Sequence, residues 1–204
     1  MAAIAAMTML STPIINMMSK PSLFALIQER MKRVMTTEFI KSTVTVKGNT
    51  QNSERDVISK VKSVLDGLSL EYSEAGSQQS KDFRNVGGIG LDIEVKKTDN
   101  TTIYFNDTCP SPDIYYIVIF TGKEYKCQIE KNIAPQVCYL NGADFLQDSP
   151  WINDYINELT VLKDKYARGE NKKHLTGLMS VYPRPTFKAD ITAFLSKPVV
   201  VPSM

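Results

Sequence analysis

Histidine is almost absent from this sequence, since His174 is the single one among 204 residues. A zinc site with several histidine ligands is therefore excluded, and a serine–histidine hydrolase is disfavoured. Cysteine is scarce as well, because the three present, Cys109, Cys127 and Cys138, are too widely spaced for a metal-binding knuckle. An odd number of separated cysteines is typical of reduced thiols in an intracellular protein.

An excess of one charge sign is missing too. Lysine and arginine number 24 against 22 acidic residues, a formal net charge of +2, so overall charge does not point to nucleic acid. A DNA-cleaving protein can still be near neutral, because acidic metal ligands offset the basic residues of its cleft. Apolar runs are too short to span a bilayer, and the apolar segment 1–10 lacks the basic flank of a secretory signal. These features predict a soluble, cytoplasmic protein with no membrane partner.

The composition, 43% apolar and 23% charged, predicts one globular domain over residues 22–204, preceded by an N-terminal extension over 1–21.

Ser53 is the expected N-cap of one helix and Pro150 the expected first position of another. Trp151, Tyr155 and Leu159 have helical spacing, which predicts that they lie in the core. Periodicity predicts helices over 22–35, 53–65 and 150–166, and strands over 68–73, 91–97, 101–106 and 114–120.

The run 114–120 is almost continuously apolar, as in a central strand covered on both faces. Glycines at 87, 88 and 90 predict a turn or hairpin before the strand over 91–97. The fold class that follows is α/β (α+β), with a mixed central β-sheet flanked by helices.

The strand over 91–97 carries the chemistry. Alternation places Asp92, Glu94 and Lys96 on one face and three apolar residues on the other. Asp82 precedes Glu94 by a gap of eleven residues. Carboxylates in a row can hold a hard divalent cation beside a lysine that orients water, as phosphodiester hydrolysis requires.

This pattern of an acid, a gap and then Glu94-x-Lys96 on a strand resembles the PD-(D/E)xK nuclease superfamily, which includes most type II restriction endonucleases. The resemblance covers roughly residues 71–120 and includes the runs 76–84 and 106–108. Lys81 stands where a variable proline precedes the first acid of the family. The resemblance implies a restriction-endonuclease-like fold and Mg²⁺ held by Asp82, Glu94 and the Val95 carbonyl, with Lys96 serving the attacking water.

The activity implied by the resemblance is sequence-specific hydrolysis of double-stranded DNA that leaves 5′-phosphates. Palindromic cutting requires two active sites related by a two-fold axis, hence a homodimer, with the helix over 22–35 as the expected contact. The chain has no room for a modification module, so a cognate DNA methyltransferase would be a separate protein.

Further residues each have a second interpretation. Glu54 and Asp92 are candidate auxiliary acids, but a first-turn glutamate also favours the helix dipole, and Asp92 can simply pair with Lys96 or Lys97. Polar and basic loop residues are candidate DNA contacts or solvated surface. These candidates are Gln78, Gln79, Lys81, Arg84, Lys172, Lys173 and Arg184.

Two other functions remain open. One is a structure-specific repair, recombination or homing nuclease of the same fold, which would differ only in the DNA that it cuts. The other is a non-catalytic DNA- or protein-binding domain whose charged strand is surface. The separation of Asp82 from Glu94 distinguishes the second, since a binding domain has no need to bring them together.

Overall fold

A computed structural model of the chain describes residues 15, 17–45, 50–74, 81–106, 109–128, 131–146, 151–163, 165 and 186–196. The α-helices are α1 (Lys20–Val34), α2 (Thr37–Ser42), α3 (Thr50–Gly67) and α4 (Ile152–Lys163). The strands are β1 (Ser73–Glu74), β2 (Phe83–Val86), β3 (Leu91–Thr98), β4 (Thr102–Asn106), β5 (Ile114–Phe120), β6 (Gln136–Asn141) and β7 (Thr186–Asp190). Short 3-10 helices span Gly142–Phe145 and Thr192–Phe194.

Five strands form one mixed sheet in the order β1-β2-β3-β5-β6. The pair β3–β5 is parallel, with Glu94 opposite Tyr116, and the other pairs are antiparallel. Strand β4 is not part of this sheet. It pairs with β7 in a separate two-stranded sheet, with Tyr104 opposite Lys188. The predicted α/β class with a mixed central sheet flanked by helices is confirmed.

Two apolar cores lie against opposite faces of β5. Ile117 and Ile119 belong to the first core, which contains the buried faces of α1 and α3. Tyr116 and Val118 belong to the second, together with Phe105 of β4. Alternate β5 side chains therefore enter different cores, which confirms the predicted central strand covered on both faces.

Helix α1 buries its whole apolar stripe in the first core. Ser19 caps the helix by accepting a hydrogen bond from the Ser22 backbone N–H at 3.3 Å. The stripe consists of Leu23, Phe24, Ile27 and Met31. This apolar face packs within the protomer, and the dimer contact expected on this helix stays a prediction.

The prediction of a strand over 68–73 is wrong except at its last residue, Ser73. Leu68 and Leu70 donate backbone hydrogen bonds back to the end of α3, and Ser69 between them has a φ of 55°. Both leucines are buried in the first core. Their alternation therefore reflects burial of a helix-terminating turn, and only Ser73–Glu74 pairs as a strand.

The expected N-cap at Ser53 is also wrong, because α3 already begins at Thr50. The polar residues 50–52 continue the helix where a loop was expected. Helix α2 and strands β6 and β7 were not predicted at all. The strands over 91–97, 101–106 and 114–120 are confirmed within one residue at each end.

Helix α4 is rotated relative to the prediction, although Leu159 is half-buried as one of the three expected core residues. Trp151 is 58% exposed and Tyr155 is 40% exposed, so neither lies in the core. Ile152, which begins the helix, is buried at 2% and anchors it instead. Pro150 lies outside the described residues. In the described part of the chain, no helix is both long and apolar enough to cross a membrane.

Candidate active site

Asp82 is fixed against the edge of β3 by two hydrogen bonds. Its backbone N–H donates to the Ile93 carbonyl at 3.1 Å, and its Oδ2 accepts from the Val95 N–H at 2.7 Å. The described pairing of β2 with β3 begins one residue later, with Phe83 opposite Ile93. The Asp82 side chain therefore takes the place of a backbone acceptor where the β2 ladder starts.

A glycine turn brings Asp82 back to β3. Gly87, Gly88 and Gly90 all have positive φ, between 71° and 74°. Only glycine adopts this conformation without strain, and the predicted turn is thereby confirmed. A Cβ at Gly87 would also lie 2.6 Å from Leu23 Cδ2, so the turn rests directly on α1.

Glu94 and Lys96 form an ion pair on the face of β3 that meets the second core. Glu94 is only 7% exposed, and its Oε1 lies 2.5 Å from Lys96 Nζ. The same ammonium lies 5.2 Å from the centroid of the Phe105 ring. A buried carboxylate and an aromatic face thus hold Lys96 in one position.

Negative charge is crowded at this point. Burial raises the pKa of the Asp82 carboxyl, against the Val95 N–H and Lys96, and the Glu54 charge raises it further. Burial likewise raises the pKa of Glu94, which Lys96 opposes and Asp82 increases. The charge of Asp82 thus raises the pKa of Glu94, and Glu54 raises that of Asp82, so a cation beside these acids would stabilise them.

A cavity of about 350 Å³ opens beside Asp82 and Lys96, and Glu94 is not among the residues that line it. Asp82, Val95 and Lys96 line it, and Glu54 faces them from α3. Glu54 itself is exposed, while Val57 and Val61 anchor that helix in the first core. The remaining lining residues are Val57, Ile58, Lys97, Thr98, Thr102, Ile103 and Tyr104.

Asp92 and Lys81 are paired with each other. Asp92 Oδ2 forms an ion pair with Lys81, and Oδ1 accepts from the Asn85 N–H at 3.0 Å. Burial opposes ionisation, but Lys81 and the Asn85 N–H outweigh it and lower the pKa of Asp92. This ion pair joins Lys81, which precedes β2, to the start of β3. Asp92 thus has a partner other than the expected Lys96 or Lys97.

Of the remaining candidate DNA contacts, only Arg84 lies among the described residues, and Lys97 is a further lysine beside the site. Arg84 lies half-buried on β2, opposite Ser73 of β1. Lys97 pairs with Asp99 at 3.3 Å. Outside the described residues lie Gln78, Gln79, Lys172, Lys173 and Arg184.

No family model, curated protein or solved structure matches this chain. Among the described residues, no group of three or more histidine, cysteine, aspartate or glutamate side chains is arranged to hold a metal ion. The candidate site is therefore defined by two carboxylates, one backbone carbonyl and one lysine, with Glu54 opposite.

Sequence reasoning missed the wall of the cavity that β4 supplies. Thr102 and Tyr104 line it, although both lie in a strand of the second sheet. The available signal was the alternation Ile103, Tyr104, Phe105, which predicts one outward residue between two buried ones. That pattern does not reveal which neighbour the outward residue meets.

Proposed function

We propose that this protein is a Mg²⁺-dependent endonuclease that hydrolyses phosphodiester bonds of double-stranded DNA at a specific sequence, as a type II restriction enzyme does. One observation carries the proposal. Asp82 is bonded to the backbone N–H of Val95, between Glu94 and Lys96, and lines one cavity with Val95 and Lys96. This hydrogen bond joins residues 13 positions apart and supports the arrangement that the PD-(D/E)xK resemblance implies.

The fold supports the same proposal. The acid-x-lysine strand β3 is the middle strand of the five-stranded mixed sheet, next to the inner strand β5. Helix α3 brings Glu54 to the cavity from the face opposite the second core. We therefore assign the restriction-endonuclease-like fold as part of this proposal.

The donor set fits Mg²⁺. This ion prefers oxygen ligands and keeps several waters, so one or two carboxylates are sufficient protein ligands. Asp82, Glu94 and the Val95 carbonyl would hold it, and the raised pKa of both acids marks a charge that a cation offsets. When bound, Mg²⁺ lowers the pKa of a coordinated water and neutralises charge on the phosphate.

The protein residues act around the scissile phosphate. The Val95 N–H orients the Asp82 carboxylate, and Glu94 with the Phe105 ring orients Lys96. Lys96 directs the attacking water at phosphorus and stabilises the charge that develops there. The bond from phosphorus to the 3′-oxygen breaks, the 3′-oxygen takes a proton, and a 5′-phosphate remains.

The partners follow from this chemistry. Double-stranded DNA is the substrate, and cutting both strands of a palindrome requires a homodimer with two-fold symmetry. A separate DNA methyltransferase with the same recognition sequence would protect the host DNA.

The test is digestion of long natural duplexes with Mg²⁺ or with EDTA, read as fragments on a gel. We expect discrete fragments that EDTA abolishes and that Asp82→Asn and Lys96→Met proteins do not produce. Asp92→Asn is the matched control, because this acid lies on the same strand but pairs with Lys81. It should cut as the wild type does.

The results separate the three functions. Cleavage of a four-way junction with intact plain duplex would indicate a structure-specific nuclease of the same fold. Intact DNA of every kind, together with no saturable Mg²⁺ binding, would indicate a binding domain. Cleavage by folded Asp82→Asn protein at the wild-type rate would overturn the assignment of the site.

A further inference from the structure

The two-stranded sheet β4–β7 has one face in the core and one face outside. Ile103 and Phe105 point into the second core, so the alternate residues of β4 point outward. Tyr104 is 50% exposed on that outer face, and Lys188 is its cross-strand neighbour. The ammonium of Lys188 lies 5.6 Å from the centroid of the Tyr104 ring.

This outer face continues into the cavity. Tyr104 and Thr102 line the cavity together with Lys96. A nucleic acid with one phosphate beside Lys96 has to leave the cavity along one of its walls. Strand β4 forms one of these walls, and the exposed Tyr104 ring lies at its rim.

Lys188 supplies the cation at this rim that can contact a phosphate. Lys96 is paired with Glu94, and Lys97 with Asp99. Lys188 forms no ion pair within the described part of the chain. Asp190 shares its strand and keeps its negative charge, but its carboxylate is held by the Thr192 N–H at 2.8 Å and hydroxyl at 2.6 Å and does not pair with Lys188.

We propose that the outer face of β4–β7 binds the DNA strand that enters the cavity, with the Tyr104 ring packed on a sugar or base and Lys188 on a neighbouring phosphate. Aromatic rings tolerate any base, and lysine contacts phosphate without reading sequence. The pair thus supplies affinity and position, and no sequence specificity. This inference rests on the proposed nuclease function, whose site it extends.

The experiment measures binding of a fluorescently labelled duplex by anisotropy, in EDTA so that no strand is cut, over a series of salt concentrations. Lys188→Ala and Tyr104→Ala should each weaken binding by about five- to tenfold at low salt. Lys188→Ala should lower the slope of log affinity against log salt by about 0.9, while Tyr104→Ala leaves it unchanged. Tyr104→Phe, which keeps the ring, should bind as the wild type does.

The chain offers a matched control. Lys123 lies over the Tyr125 ring at 5.2 Å, the same kind of contact on a different part of the molecule. Lys123→Ala and Tyr125→Ala should bind DNA like the wild type. If Lys123→Ala and Lys188→Ala weakened DNA binding equally, overall charge would account for the loss of affinity, and the proposal would be overturned.

Two other outcomes overturn it without ambiguity. A wild type that fails to bind duplex at low salt has no such surface. Unchanged binding by Lys188→Ala and Tyr104→Ala in a protein that cuts DNA through Asp82 and Lys96 would remove this inference and leave the nuclease intact. A protein that binds DNA through Tyr104 and Lys188 but does not cut it would contradict the proposed nuclease and leave the binding face in place.

Discussion

At the scale of single residues, Asp82 shows the conflict between stability and function most clearly. Burial and, to a lesser extent, the charge of Glu54 raise the pKa of its carboxyl. In the absence of a cation, the ionised side chain therefore destabilises the folded state at neutral pH. Functional sites commonly store strain of this kind.

Asp82→Asn should stabilise the metal-free protein while it abolishes cleavage. The amide oxygen can still accept the Val95 N–H, and the repelling charge is gone. We expect the free energy of unfolding at neutral pH to rise by about 1 kcal/mol, measured by urea denaturation in EDTA. Added Mg²⁺ should stabilise the wild type and leave the variant unchanged. A less stable Asp82→Asn protein would contradict this account of the site.

At the scale of secondary-structure elements, close backbone contacts fix how strands and turns meet. Gly142 starts the 3-10 helix after β6, and a Cβ built there would lie 1.8 Å from the Ser111 carbonyl oxygen. Because the obstructing atom is backbone, no side-chain rotation can relieve the clash.

Gly142→Ala should therefore displace β6 or the loop before β5. We expect a loss of about 3 kcal/mol or more in the free energy of unfolding, measured by urea denaturation. Ala143→Ser, at the exposed next position, is the control and should change stability by less than about 0.5 kcal/mol. A Gly142→Ala protein of wild-type stability would mean that this contact is looser than the structure shows.

Asp99 joins three segments beyond the ends of β3 and β5. It accepts hydrogen bonds from Thr121 Oγ1 at 2.7 Å and the Thr45 N–H at 3.3 Å, and it pairs with Lys97. Burial raises the pKa of Asp99, but these partners outweigh burial and lower it below the ordinary value of 3.8. The unfolded chain thus binds the proton more readily than the folded protein.

The stability that Asp99 contributes should be fully present above pH 3.8 and lost as pH falls through the lower folded pKa. Asp99→Asn should cost about 1–2 kcal/mol at neutral pH, and its difference from the wild type should shrink in acid. Urea denaturation followed by circular dichroism at several pH values measures both. Asp113→Asn, an exposed aspartate, is the control. A pH-independent difference would contradict the role given to the charge.

At the scale of the whole molecule, local patterns predicted the inner part of the fold and the site better than its periphery. The alternation in β3 and the apolar run in β5 predicted both strands, because each side chain there meets a core or a defined polar partner. Asp82 was predicted to lie beside the Glu94-x-Lys96 strand, and its hydrogen bond to the Val95 N–H joins it to that strand.

The misses have a different origin, since they depend on contacts between distant segments. Tyr104 reaches the cavity because β4 joins a separate sheet with β7, and nothing in either strand encodes that partner. Trp151 has the spacing of a core residue, yet the helix packs through Ile152 and leaves the indole outside. Periodicity shows that a face exists without showing which side is covered.

Trp151 is the single tryptophan of the chain, so its environment can be measured directly. Its exposure predicts an emission maximum close to that of free tryptophan and ready quenching by acrylamide. Unfolding in urea should then change both signals little, even as circular dichroism is lost. A blue-shifted, protected indole would contradict this result and would show that another segment or a second copy covers α4.

In the proposed nuclease, the single hydrogen bond between Asp82 and Val95 makes catalytic competence depend on strand register. Since side chains alternate along a strand, a slip of β2 by one residue against β3 would turn Asp82 to the opposite face while every proposed catalytic residue remained in the sequence. The glycine turn over 87–90, which sets that register, lies outside the cavity. A change in the length of this one hairpin would therefore abolish the proposed activity while every acid stayed in the sequence.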